Sequence, residues 1–66
     1  MQNITLTDPL FDTTGLGEIV HASPRTVEAW RIRGTGPRVT RVGPRMVRYR
    51  LSDINAWLAG QTQRAV

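Results

Sequence analysis

The sequence predicts a small α+β domain whose elements run helix, helix, β-hairpin, helix. Three observations predict it. Asp12 and Ser23 are helix-capping residue types, and each opens a stretch with apolar residues at helical spacing. Gly34, Gly36 and Pro37 break the second of these stretches. Two β-rich runs follow, VTRV at 39–42 and MVRYR at 46–50, separated by Gly43-Pro44-Arg45 as a hairpin tip.

At 66 residues the chain has room for one domain. A core of this size supplies a net stability of only about 3–5 kcal/mol. Residues 1–10 are expected to be a flexible N-terminal arm ending near Asp8-Pro9. Residues 11–60 are expected to be the folded domain, and 61–66 (QTQRAV) an unpatterned tail.

The first helix should start after Asp12 and place Leu16, Ile19 and Val20 on one face. Gly15 and Gly17 weaken it, each by about 1 kcal/mol relative to alanine. His21-Ala22 makes a tight connection. Ser23-Pro24 opens the second helix, since the serine hydroxyl can accept from a free amide and proline suits the first helical position. That helix, PRTVEAWRIR, should turn Val27 and Trp30 inward and Arg25, Thr26, Glu28 and Ala29 outward. In the hairpin, Val47 and Tyr49 share one face, and Met46, Arg48 and Arg50 the other. Ser52 is expected to cap the last helix, with Asp53 near its positive end and Ile54, Trp57 and Leu58 on its apolar face.

Helix, tight turn, helix, hairpin and helix is the order of a winged helix-turn-helix. In that arrangement the first helix braces the second, and the second keeps one face free for the major groove. The charge distribution agrees. The net charge is +4, and all nine basic residues are arginine. Residues 1–24 hold Asp8, Asp12 and Glu18 and no arginine. Residues 25–50 hold eight arginines and one acid, Glu28. Such a cluster attracts phosphate, and arginine is suited to bidentate phosphate and guanine contacts. Double-stranded DNA is therefore the expected partner.

On this reading Ser23, Arg25, Thr26, Glu28, Ala29 and Arg33 form the recognition-helix surface. Arg25 and Thr26, in its first turn, are placed to reach base edges. Glu28 has two readings of equal standing, an acceptor for cytosine N4 or an intrahelical partner for Arg31 or Arg25. Arg41, Arg45, Arg48 and Arg50 form the wing. Phosphate contact is the expectation for Arg41, Arg48 and Arg50, while Arg45 at the tip could also enter a narrow minor groove.

The strings SPRTVEAW-RIRGTGP, RVG-PRMVRYR and LSDINAWLAG resemble the excisionase/AlpA-type winged helix-turn-helix domains of the broad MerR-like group. With the first helix, the resemblance covers residues 11–60. It implies a phage or mobile-element protein working in the cytoplasm of a bacterial host, on the nucleoid. An excisionase, or recombination directionality factor, binds attachment-site DNA cooperatively along the duplex and bends it. It also helps a phage integrase toward excision, without strand chemistry of its own. The resemblance assigns base reading to Arg25, Thr26 and their neighbours, and the wing role to Arg45. The chain departs from the family at Gly15, Leu16, Gly17 and His21, which predicts a softer first helix.

The alternatives are a small AlpA-like transcription regulator and, more distantly, a protein-interaction module with a basic docking face. The chain stops soon after the third helix, an extent that suits the architectural role better than a ligand-sensing regulator. No membrane span, signal peptide, cofactor or metal site is expected, and there is no cysteine. The single histidine, His21, cannot anchor a triad or a metal cluster. The two tryptophans could stack on bases, but they lie on apolar helical faces and are expected in the core. Tyr49 reads as a core-facing strand residue rather than a recombinase nucleophile. No enzyme is expected.

Overall fold

The computed structural model describes residues 8–62. It contains β1 (Leu10–Phe11), α1 (Thr13–Val20), α2 (Pro24–Arg33), β2 (Thr40–Arg41), β3 (Val47–Arg50) and α3 (Leu51–Thr62). This is the expected α+β order of a winged helix-turn-helix, with one added strand at the start.

Helix α1 is capped as anticipated. The Asp12 side chain accepts the Gly15 amide at 2.7 Å. Gly17 has a role that helix propensity does not reveal. A Cβ at this position would collide with the carbonyl oxygen of Ala22, so the chain leaving α1 can fold back only over a glycine. His21 completes the turn in the left-handed region, at φ 61° and ψ 45°, and the Ala22 amide donates to Gly17 O at 2.8 Å. Ser23 then caps α2, accepting the Thr26 amide at 3.2 Å. Gly34, also left-handed, closes that helix.

Among the described residues four large apolar side chains are fully buried, namely Leu16 of α1, Val27 of α2, Tyr49 of β3 and Ile54 of α3. Each long element thus contributes one residue to a single point of contact. Phe11, Val20, Ala22, Trp30, Val39 and Leu58 pack around them. Ile19, expected on the inner face of α1, is instead 39% exposed, because the short helix buries only a narrow stripe. The indole rings of Trp30 and Trp57 meet at 5.1 Å with a 48° tilt. Trp57 Nε1 donates to the Thr35 carbonyl at 2.9 Å, tying α3 to the loop after α2.

The sheet is antiparallel with strand order β1-β3-β2. Leu10 pairs with Arg50 and Phe11 with Tyr49 on one side of β3. Thr40 pairs with Arg48 and Arg41 with Val47 on the other. The strands are shorter than the β-rich runs, and the chain between them is closed by Val42 N donating to Met46 O at 2.8 Å. Gly43, at φ 91°, makes that turn possible.

Three expectations differ from the structure. Asp8 to Leu10 are not a loose arm, since Leu10 is a strand residue and Asp8 makes tertiary hydrogen bonds. Residues 1–7 of the expected arm lie outside the described residues. Ser52 does not cap α3 from outside either. The helix begins at Leu51, and Ser52 lies in its first turn. The cap comes from Asp8, whose carboxylate accepts the Ser52 amide and the Ser52 hydroxyl, each at 2.8 Å. Leu51 N donates to Pro9 O at 2.9 Å, so a second free amide of the helix start is met by the same segment. At the other end α3 runs to Thr62, into the expected tail; residues 63–66 lie outside the described residues.

Candidate nucleic-acid interface

The capped start of α2 leaves its outer side open. Ser23, Arg25, Thr26, Glu28 and Arg33 are exposed, and Ala29 is partly covered. The Thr26 hydroxyl lies 3.0 Å from Ser23 Oγ, so the two hydroxyls form one hydrogen-bonded pair at the helix start. Arg25 has no such tether.

The hairpin carries its arginines to different places. Arg45 is exposed at the tip, and Arg41 is exposed on the edge strand. Arg48 is half-buried, and its Nη1 donates back to the carbonyl of Val47 at 2.8 Å. That bond holds the guanidinium close to the sheet. Arg50 is exposed, with Leu10 as its strand partner.

Tertiary packing brings part of this set together. An open depression of about 300 Å³ lies between the start of α1, the side of α2 and the wing. Glu28 and Arg31 line it from α2, and Arg45 and Arg48 line it from the wing. Asp12, Thr13 and Thr14 border it at the α1 N-terminus. Of the predicted residues, Glu28, Arg45 and Arg48 therefore share one site. Arg50 borders a different depression with Arg38, Thr40 and Asp53. Arg25, Ser23, Thr26, Ala29, Arg33 and Arg41 border neither.

No family model matches this chain, and a search of curated proteins finds no relative.

Among the described residues Glu28 forms no ion pair with Arg31 or Arg25. The intrahelical-partner reading thus loses its contact, although Glu28 does line the arginine-bordered depression. Arg25, Arg33, Arg41 and Arg45 are likewise free of ion pairs. Their charge is available to an external anion, at no cost of breaking an internal bridge.

Two basic residues at these depressions, Arg31 and Arg38, are not among the DNA-contacting residues expected from sequence. Arg31 follows the buried Val27 by one helical turn, at the border of the packed face. Its Nε is buried without a hydrogen-bond partner. That border position was a usable signal, because a long side chain there covers the core with its stem and delivers its charged end to the edge. Arg38 follows the buried Pro37, and no local pattern marks it.

The aromatic groups are occupied by packing. Trp57 is held by the Thr35 carbonyl and both indoles face each other, which leaves the base-stacking role without support. Tyr49 is 1% exposed, with its hydroxyl enclosed and unpartnered, so it has no access to a phosphodiester. Among the described residues no helix is long and apolar enough to cross a membrane.

Proposed function

We propose that this chain is an architectural protein of the excisionase type that binds double-stranded DNA. Helix α2 enters the major groove, and the β2–β3 wing lies along the adjacent minor groove. The observation that carries this reading is that Arg31 of α2 and Arg45 and Arg48 of the wing border one open depression beside the exposed face of α2. A duplex presents one charge per roughly 1.7 Å of axis, so phosphates lining the groove edge meet these guanidinium groups together. Arg25 in the first turn of α2 has free donors for guanine O6 and N7. Glu28 suits an amino donor such as cytosine N4, which would offset its repulsion by phosphate.

The excisionase assignment rests on the ordered motifs around Ser23-Pro24-Arg25-Thr26, Gly36-Pro37 and Val47-Arg48-Tyr49-Arg50. By that resemblance the partners are attachment-site DNA, a phage integrase and further copies bound along the duplex, all in a bacterial cytoplasm. The test is a nuclease footprint on attachment-site and promoter fragments, with bending measured on the same fragments. Tandem protected repeats with strong bending are expected. A single palindromic promoter site without bending would mean a transcription regulator instead, and absence of any protected duplex would remove the DNA reading.

A further inference from the structure

Ile32 is 79% exposed, far more than any other large apolar side chain among the described residues. A single exposed isoleucine is ordinary on a protein surface. Its place is what separates it from the rest. Arg25, Ala29 and Ile32 follow one another at i, i+4 and i+7, so they form one stripe along α2. Val27, the buried residue of the helix, lies on the opposite side. Arg33 adjoins the stripe, and neither Arg25 nor Arg33 is in an ion pair among the described residues.

We propose that Ile32 is a specificity-determining residue that reads the C5-methyl group of a thymine in the major groove. This inference rests on the DNA-binding reading of α2 given above. Seven residues of helix rise about 10 Å, which matches roughly three base-pair steps at 3.4 Å each. Arg25 and Ile32 therefore address the two ends of a four-base-pair stretch, one through a hydrogen-bonding fork and one through an apolar branch. Thymine is the only ordinary base that offers a methyl group in the major groove. Packing a branched aliphatic side chain against that methyl removes both from water. The small side chain of Ala29 between them leaves room for close approach. A second copy of this chain fits the face poorly, because pairing two such helices brings Arg25 and Arg33 of each against the same residues of the other.

The test uses the duplex protected in the footprint, with each thymine replaced in turn by deoxyuridine, which lacks only the methyl. The wild-type protein is expected to lose about fourfold in affinity at one position, the worth of one buried methyl group. Ile32→Ala should bind the thymine duplex less tightly and show no loss on the deoxyuridine change at that position. Its melting temperature should match the wild type, since the side chain is exposed. Equal wild-type affinity for every substituted duplex overturns the inference while leaving DNA binding intact. So does a thymine preference that persists in Ile32→Ala. An Ile32→Ala variant with unchanged DNA affinity and reduced self-association would assign the residue to a protein contact. Failure of every duplex to bind overturns the DNA reading itself.

Discussion

The Asp8 carboxylate receives both the backbone amide and the hydroxyl of Ser52, a residue 44 positions along the chain. These bonds, the amide first, hold the Asp8 carboxyl below its ordinary value of 3.8, with Arg50 adding to the effect. The pair anchors the start of the chain to the junction of β3 and α3.

A pH dependence follows from that depressed value. A carboxyl that is more acidic folded than unfolded stabilises the fold above its unfolded pKa. The contribution is lost as pH falls from about 3.8 through the lower folded value. Wild-type protein should therefore lose thermal stability across this window more steeply than Asp8→Ala, while Asp8→Ala should melt lower at pH 7. Melting followed by circular dichroism from pH 2 to pH 7 checks both. Parallel curves for the two proteins would show that Asp8 does not carry the effect.

Two glycine-to-alanine changes should act in opposite directions. Gly17→Ala drives a methyl into the Ala22 carbonyl and should destabilise by about 1–3 kcal/mol, as overpacked sites do. Gly60→Ala meets nothing within 4 Å in α3 and should stabilise by about 0.5–1 kcal/mol through helix propensity. Urea denaturation of the pair measures both. A stabilised Gly17→Ala protein would mean the turn after α1 can open without penalty.

Trp30→Ala should destabilise by about 3 kcal/mol, the low end for a core tryptophan, because the indole is only partly covered. With a total stability of a few kcal/mol, this is enough to unfold much of the population at room temperature. The fluorescence of the remaining Trp57 should shift toward that of a solvated indole. A folded variant that has merely lost DNA affinity would turn Trp30 from a packing residue into a contact residue.

The arginines should separate by the kind of binding they support. Arg25→Ala should lower affinity by about 1–3 kcal/mol and relax preference at one base pair. Arg31→Ala and Arg45→Ala should weaken binding to all sequences and reduce the salt dependence by about one phosphate each. Titrations at several salt concentrations on the protected duplex and on unrelated DNA distinguish the two patterns. An unchanged salt slope for Arg45→Ala would take the wing off the DNA.

Much of this architecture is local and so legible in sequence. Asp12 and Ser23 cap the helices they precede, because a cap bonds an amide two or three residues away. Ser52 satisfies the same local rule and is nevertheless not the cap, since the helix already begins at Leu51 and Asp8, distant in sequence, accepts the Ser52 amide. Strand β1 has two residues, too few for an alternating pattern to show, and exists only because β3 offers it an edge. At the candidate interface, the outward direction of Arg25 follows from helical spacing against Val27. The spacing of Arg31 from Val27 marks it as a border residue of α2, but its place beside Arg45 and Arg48 depends on where the wing packs.

By itself the sequence determined the order of the helices and the hairpin, the caps of α1 and α2, the inward placement of Val27 and Tyr49, and the concentration of arginine between residues 25 and 50. These depend on hydrogen bonds a few residues long, on periodicity and on composition. Only the tertiary structure decided that Asp8 holds α3, that Gly17 makes room for Ala22, and that Arg31, Arg45 and Arg48 border one depression while Arg50 faces another. Each of those relationships joins chain segments whose distance in space is set by how the four buried side chains meet.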